Sequence, residues 1–319
     1  MYGLFDSLPA SGLPTDPVTS CSIGVWAICQ FTGKGLGIFA LRDIKAGERV
    51  MCEEPIATWA VSLGERSSKG EIEVRVLNRM VAALPQDRRT QFFSLCQNEM
   101  KYGVKKTTVG VWMSNAFPCD SSSDATAGTV SAAVFHRLSR LNHSCAPNMH
   151  HEWNELLGRE TLHSLVDIPA GDELTVTYLG DPGTGYERAT RQSALLLKFG
   201  FYCHCPLCSL RANALAQSEV RQARMKALVV LLEEDTHELP DAEFVRLASE
   251  RLLLLMQEGL PHCWGHVSMF QSMIRCKKNG NTRAAAQWAA RATECARLAF
   301  GTDSSSYLLY SHFLGLHDA

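Results

Sequence analysis

The stretch NHSCAPN at residues 142–148 is the second of four short segments that together indicate the fold of this chain. It follows a glycine-rich segment, GKGLG at 33–37, and precedes GDELTVTY at 171–178 and CHCPLC at 203–208. Each segment alone is weak evidence. In this order they predict one site made from a glycine loop, a buried polar turn, a lone tyrosine and a metal-binding loop.

The last segment places three soft metal ligands, Cys203, Cys205 and Cys208, within one loop. Zinc prefers four ligands in a tetrahedral array, and thiolates suit it. The fourth ligand must come from elsewhere, and Cys145 is the leading candidate because it lies in a polar turn next to Pro147. The alternative is a group of buried thiols without a metal, although clustering this dense is rare.

The other segments each have an ordinary structural explanation. The glycines at 33–37 can be turn residues, since the segment is neither a phosphate loop nor a convincing dinucleotide fingerprint. His143 and Cys145 lie two residues apart, which seldom gives the orientation that a cysteine hydrolase needs. Tyr178 follows an apolar alternation, where most tyrosines are core residues with a hydrogen-bonded hydroxyl. Only the combination points to a functional site.

Length and composition set broad limits. The 319 residues predict two domains, or one large domain with an appendage. A net charge of -2 provides no strong field that would recruit nucleic acid or anionic lipid. No apolar run approaches the ~20 residues of a membrane span, and no secretory signal is visible. With 12 cysteines unevenly spread, we expect an intracellular protein, nuclear or cytoplasmic, with free thiols and a metal site.

The pattern of the chain changes at about residue 210. Upstream, strand-like stretches are interrupted by predicted helices; downstream, every predicted element is a helix. The predicted strands are 22–31, 38–41, 49–53, 56–61, 162–168 and 174–179. The predicted helices are 72–84, 87–96, 187–198, 219–234, 241–258, 267–278, 282–300 and 304–313. Alanine-rich stripes in the last part suggest tetratricopeptide-like packing, although no strict repeat is demonstrable.

The four segments in this order resemble the ordered signature of the SET-domain protein lysine methyltransferases. The SNAF segment at 114–117, the Glu187-Arg188 pair before a helix, and the helical tail resemble the SET-and-MYND branch and its fungal relatives. The resemblance is strong over residues 22–210 and loose beyond. One departure is that residues 53–99 contain a single cysteine, Cys96, so the MYND zinc finger is missing. Recognition of DNA or proline motifs by that finger is therefore not transferred.

The resemblance implies an α+β fold of several small sheets with inserted helices. We expect a flexible tail at 1–20 and a SET domain at 21–180 with a helical insertion at about 66–115. A post-SET zinc region at 181–210 and an all-helical domain at 211–319 would follow.

The resemblance also implies roles for individual residues. The loop at 34–36 would cradle S-adenosylmethionine through its backbone, Asn142 and His143 would hydrogen-bond to it, and Phe201 would pack against the adenine. The expected cofactor-binding residues are Lys34, Gly35, Leu36, Asn115, Asn142, His143, Tyr178 and Phe201. The expected ligands of one structural zinc ion are Cys145, Cys203, Cys205 and Cys208, which leave no open coordination position.

The reaction implied by the family is transfer of a sulfonium methyl group to a neutral lysine amine of a histone or non-histone protein. Lysine has an ordinary pKa of about 10.4, so an apolar channel and the nearby sulfonium must favour the neutral form. Tyr178 would line this channel and orient the amine, and proton loss through a water chain is equally compatible with the sequence. Phe199 would leave room for more than one methyl group, unless it is an ordinary core residue.

Two other functions stay open at this stage. A catalytically weak SET module could act as a protein-interaction scaffold, and a zinc-dependent hydrolase would need a metal with a labile water. The partner expected for an active enzyme is a protein substrate, such as a histone. We expect a monomer that binds neither nucleic acid nor membrane directly.

Overall fold

The computed structural model describes residues 24–31, 33–62, 74–119, 129–234 and 239–314. The tail expected at 1–20 and the first part of the insertion predicted at about 66–115 lie outside these ranges.

The described residues combine short strands with helices. The strands are β1 Trp26–Phe31, β2 Gly35–Ala40, β3 Arg49–Glu53, β4 Ala57–Ser62, β5 Ala116–Pro118, β6 Thr129–Val134, β7 Asn142–His143, β8 Met149–Asn154, β9 Arg159–Ser164 and β10 Glu173–Val176. The helices are α1 Val74–Ala82, α2 Gln86–Ser94, α3 Glu99–Tyr102, α4 Thr108–Asn115, α5 Arg188–Phe199, α6 Ala212–Val229, α7 Asp241–Gln257, α8 His266–Lys278, α9 Thr282–Phe300 and α10 Ser305–His312.

The strands form three small sheets, with the orders β1-β2-β10-β7, β3-β9-β8 and β4-β6-β5. In the first sheet, β10 pairs antiparallel with β2 and parallel with β7. This arrangement puts the glycine segment, the NHSC segment and the GDEL segment on neighbouring strands, although 106 residues separate Leu36 from Asn142. A buried apolar cluster that includes Trp26, Ile38, Phe135 and Leu174 supports the sheet.

The helices contribute to several other buried clusters. Helices α1, α2 and α4 surround Leu77, Phe92 and Trp112. After the cysteine loop, α8 and α9 pack through small and sulfur-containing side chains, including Met269, Met273, Ala292 and Ala296. Several alanines of the stripe seen in the sequence are buried in this core. Their small side chains allow the axes of α8 and α9 to approach closely. The expected α+β fold with a helical C-terminal region is confirmed; the tetratricopeptide-like arrangement stays a prediction.

The C-terminal helices lie against the second sheet. Helix α9 contacts β8 and β9. Arg49 on β3 forms an ion pair with Asp303, and the Asn154 side-chain amide donates to the Asp303 carbonyl oxygen. The Arg49 Nε also lies 3.0 Å from His163 Nε2. These contacts join β3, β8 and β9 to the loop that precedes α10.

Several predicted element boundaries are wrong. The strand predicted at 162–168 begins at Arg159 and ends at Ser164, since residues 165–167 turn toward the isolated bridge between Ile44 and Ile168. The helix predicted at 219–234 begins at Ala212. The short apolar run at 112–117 is the end of α4 followed by β5. Strands β6, β7 and β8 were not predicted, because β7 has only two residues and β8 is largely polar. Among the described helices, none combines the length and the hydropathy required to cross a lipid bilayer.

Candidate functional site

Two cavities meet at Tyr178. The first, here called the motif cavity, has a volume of about 940 Å³ and is bordered by all four sequence segments. The second, here called the junction cavity, has a volume of about 560 Å³ and lies between the second sheet and the C-terminal helices. Tyr178 lines both cavities.

The motif cavity gathers most of the residues predicted to bind a cofactor. Those that line it are Lys34, Asn142, His143, Tyr178 and Phe201, together with Glu173, Asn148, Cys203 and Cys205. Gly35 and Leu36 are adjacent on β2, and the Leu36 carbonyl oxygen accepts a hydrogen bond from the Asn142 amide. The parallel pairing of Thr175 with Asn142 brings these segments together.

Asn115, although predicted to bind the cofactor, does not line the motif cavity. It lines the junction cavity, and its side-chain amide donates at 2.7 Å to the carbonyl oxygens of Cys96 and Val111. Phe199 also lines the junction cavity, with its ring 4.8 Å from that of Tyr178. The structure therefore brings neither Asn115 nor Phe199 into the lining of the motif cavity, and both line the junction cavity.

Hydrogen bonds hold Tyr178 through both its side chain and its backbone. Its hydroxyl donates to the Leu141 carbonyl oxygen at 2.5 Å, and its backbone N–H donates to His143 Nδ1 at 3.0 Å. Burial raises the pKa of Tyr178, and the charges of Cys96 and Glu173 add to the effect. The hydroxyl therefore stays protonated and can act as a hydrogen-bonding group, but it is a poor proton acceptor.

His143 is neutral and has a defined tautomer. Burial lowers the pKa of His143 to about 4. Its Nδ1 accepts the Tyr178 N–H, so the ring hydrogen of the neutral form lies on Nε2. That nitrogen is 3.2 Å from the Cys145 Sγ. His143 therefore links Tyr178 to the cysteine cluster.

The four cysteines form a compact cluster. The Sγ atoms of Cys145, Cys203, Cys205 and Cys208 lie within 4.8 Å of one another. Cys145 Sγ is 4.0 Å from Cys203 Sγ and 3.4 Å from Cys208 Sγ. Tetrahedral zinc with Zn–S bonds of about 2.3 Å requires sulfur separations near 3.8 Å. This donor set fits a zinc ion.

Residues of α5 position the cysteine loop. The Gln192 side chain makes two hydrogen bonds with the Cys203 backbone, donating at 2.6 Å and accepting at 2.8 Å. The Arg191 guanidinium lies 3.7 Å from the Cys208 Sγ, where its positive charge favours a thiolate. Metal binding requires deprotonated thiols, so these contacts are consistent with a metal site.

The junction cavity contains polar groups that sequence reasoning missed. His150 Nε2 is 3.3 Å from a Glu152 oxygen, and His151 Nδ1 is 2.7 Å from a Glu160 oxygen. The His150 ring packs edge-on against Trp264 and Phe300 of the C-terminal helices, each at 5.0 Å. Two adjacent histidines on a strand gave only a weak signal, and nothing in the sequence indicated which helices they would meet.

Comparisons with known proteins agree with the geometry. Residues 35–179 match the SET domain family. The chain is 25% identical over 291 residues to the "Histone-lysine N-methyltransferase set5" of Schizosaccharomyces pombe, covering 91% of this chain and 83% of that protein. It is 40% identical over 81 residues to the "Histone-lysine N-methyltransferase ATXR4" of Arabidopsis thaliana, covering 25% of this chain and 24% of that protein. A third similar protein is the "Histone-lysine N-methyltransferase SET5" of Candida albicans, 36% identical over 92 residues, or 28% of this chain and 18% of that protein.

Proposed function

We propose that this protein, whose residues 35–179 match the SET domain family, transfers methyl groups from S-adenosylmethionine to lysine side chains of protein substrates. The observation that carries this proposal is the position of Tyr178 between two cavities within that domain. The similar proteins of fission yeast and Arabidopsis are both named histone-lysine N-methyltransferases, which supports histones as the first substrates to test. Action on histones in turn favours a nuclear site of action.

The motif cavity would hold the cofactor. Asn142 and His143 would hydrogen-bond to it, Phe201 would pack on its adenine, and the backbone near Lys34 would border its amino-acid end. When bound, S-adenosylmethionine supplies an electrophilic methyl group on a positively charged sulfur. Because Asn115 lines the other cavity, we propose that it supports the wall near Ser114 and contacts the cofactor only at the junction.

The junction cavity would receive the target lysine. Its wall includes Phe117, Phe199 and Phe300 together with the carboxylates of Glu152 and Glu160, so it would attract an incoming lysine ammonium, and the positive sulfonium would favour the neutral amine at the point of transfer. The Tyr178 hydroxyl donates to Leu141, so its oxygen can accept an N–H of the neutral amine. This contact would turn the nitrogen lone pair toward the motif cavity. The raised pKa of Tyr178 argues against a role as general base, and the lysine proton would leave through water.

The cysteine cluster would hold one zinc ion with a structural role. Four thiolates occupy every tetrahedral position, so no water would bind the metal and no hydrolytic chemistry would follow. Cys203 and Cys205 also line the motif cavity. The metal would thereby fix one wall of the cofactor site.

The experiment that tests this function is methyl transfer by the full chain. Purified protein would be incubated with radiolabelled cofactor and either core histones or cell lysate, and the labelled proteins identified by mass spectrometry. Tyr178→Phe should lose nearly all transfer, whereas Tyr102→Phe on the inserted helix α3 should retain it. Absence of transfer by well-folded wild-type protein that still binds the cofactor would favour the scaffold alternative instead.

A further inference from the structure

The orientation of the Asn142 side-chain amide is fixed by its neighbours. Its nitrogen Nδ2 lies 3.2 Å from the Leu36 carbonyl oxygen and 2.8 Å from Glu173 Oε1. A carbonyl and an ionised carboxylate can only accept hydrogen bonds, so the NH₂ group must face both. The Asn142 carbonyl oxygen is thereby left for a ligand, and Asn142 lines the motif cavity.

Glu173 connects Asn142 to the glycine segment. One carboxylate oxygen accepts from Asn142, and the other lies 2.8 Å from Lys34 Nζ. The Glu173 side chain is 15% exposed, whereas that of Lys34 is 46% exposed. An ion pair with one exposed partner contributes little to folding stability. The more consequential contact of Glu173 is therefore the charge-assisted hydrogen bond to the half-buried Asn142.

The backbone of β2 leaves just enough room for this contact. A methyl group on Gly37 would lie 2.8 Å from Asn142 Nδ2 and 3.0 Å from Glu173 Oε1. Gly37 has no positive φ that would itself demand glycine. The absence of a side chain at Gly37 is thus explained by the close approach of the Asn142–Glu173 pair.

We propose that Glu173 is a positioning residue for cofactor binding, which acts through Asn142. By holding the amide NH₂, Glu173 presents the Asn142 oxygen to the ammonium group at the amino-acid end of the cofactor. Without Glu173, only the Leu36 carbonyl oxygen, at 3.2 Å, holds the NH₂ group. The amide can then rotate more readily and direct its NH₂ group at the ammonium, and the two groups repel each other. This inference rests on the proposed function, because it presumes that the motif cavity binds S-adenosylmethionine.

The test is a double-mutant cycle on the full chain, measured by calorimetry with S-adenosylhomocysteine. Glu173→Ala should weaken binding about tenfold, as expected for a lost hydrogen bond to a charged group. Glu173→Gln should restore most of the affinity, because its amide oxygen still accepts from Asn142. If Glu173 acts through Asn142, adding Glu173→Ala to Asn142→Ala should cause no further loss. Gly37→Ala should reproduce the effect without removing either side chain.

Two further measurements separate positioning from damage to the fold. The affinity for 5′-methylthioadenosine, which lacks the amino-acid portion, should not change in Glu173→Ala. Lys45→Ala removes a more exposed ion pair, with Asp167, and should leave both affinities unchanged. Additive losses in the cycle, a Gln variant as weak as Ala, or equal losses for both ligands would overturn the role of Glu173. If wild-type protein binds no S-adenosylhomocysteine, the proposed function fails as well.

Discussion

The motif cavity and the junction cavity meet at one tyrosine, yet they are built in different ways. The motif cavity is bordered by four short segments of chain whose residue types are specific enough to be found in the sequence. The junction cavity takes its wall from β8 on one side and from α8, α9 and the turn before α8 on the other. Many of its side chains are aromatic or histidine residues, and the carboxylates of Glu152, Glu160 and Asp181 also line it. If the motif cavity binds the cofactor and the junction cavity the protein substrate, as proposed, the difference means that cofactor chemistry restricts residue types strongly, whereas a protein-substrate surface restricts mainly shape and charge.

The largest expected effect tests whether the cysteine cluster supports the motif cavity. Cys205→Ser removes one of four thiols, so zinc content should fall from about one per chain toward zero. Because structural zinc contributes roughly 10–16 kcal/mol of apparent binding energy, the variant should also unfold at a much lower temperature and bind no cofactor. Metal analysis, thermal unfolding and calorimetry measure these three changes. Cys52→Ser on β3, outside the cluster, is the matched control. Metal-free wild-type protein with normal stability would contradict the prediction.

The second-largest expected effect concerns Tyr178, which lines both cavities. Tyr178→Phe should lower kcat roughly 10²- to 10³-fold, the range seen when one preorganised hydrogen-bonding group is removed. Cofactor affinity should change little, because the aromatic ring remains between the cavities. Loss of the bond to Leu141 should cost about 1 kcal/mol of stability. Single-turnover rates and calorimetry separate these quantities. An equal loss of cofactor binding would mean that Tyr178 belongs to the motif cavity alone.

A third prediction tests whether the junction cavity serves only the protein substrate. Val267 at the start of α8 is 40% exposed and lines this cavity. Val267→Trp should obstruct it and raise the KM for the protein substrate about tenfold, equivalent to ~1.4 kcal/mol. Cofactor affinity should remain at the wild-type value. Val220→Trp, at a 70% exposed position of α6, is the control. A change in cofactor affinity instead of KM would show that the two cavities are not separate in function.

The smallest effect concerns the number of methyl groups added. Phe199 lies beside Tyr178 in the junction cavity. A hydroxyl introduced by Phe199→Tyr can hold water near the amine and reduce the space for a methylated amine. We therefore expect the wild type to add more than one methyl group and the variant to stop earlier, with turnover changed only a few-fold. Mass spectrometry of exhaustively methylated substrate measures this. Monomethyl-lysine as the final product of the wild type would contradict the prediction.

The accuracy of sequence-based prediction differed among the residues of the motif cavity for a physical reason. Three cysteines in six residues have few explanations other than a metal, so the cluster with Cys145 could be predicted without coordinates. Glu173, in contrast, lay inside a quoted segment but was not assigned a role. Its importance depends on a side-chain hydrogen bond to Asn142, across 31 residues of sequence.

The prediction of secondary structure likewise succeeded where local signals were present and failed where tertiary contacts were decisive. The helix Thr282–Phe300 was predicted with its correct bounds, because its alanine stripe and flanking turn residues are local signals. Strand β8, MHHEWN, was missed since it does not alternate between apolar and polar residues. Four of its six residues are half-buried, because it lies between the sheet and the helices that cover it. Such a strand depends on tertiary contacts, which no local sequence pattern indicates.

The sequence by itself determined which chemistry this protein can support: a thiolate cluster, a glycine-bordered loop, a polar NHSC turn and a tyrosine at the end of a strand. These are properties of residue type and spacing, which the chain carries before it folds. Only the tertiary structure decided that Tyr178 lines two cavities, that Asn115 and Asn142 line different ones, and that Glu173 accepts a hydrogen bond from the Asn142 amide. Each of these depends on distances of a few ångströms between residues far apart in the chain, and packing of whole sheets and helices fixes such distances.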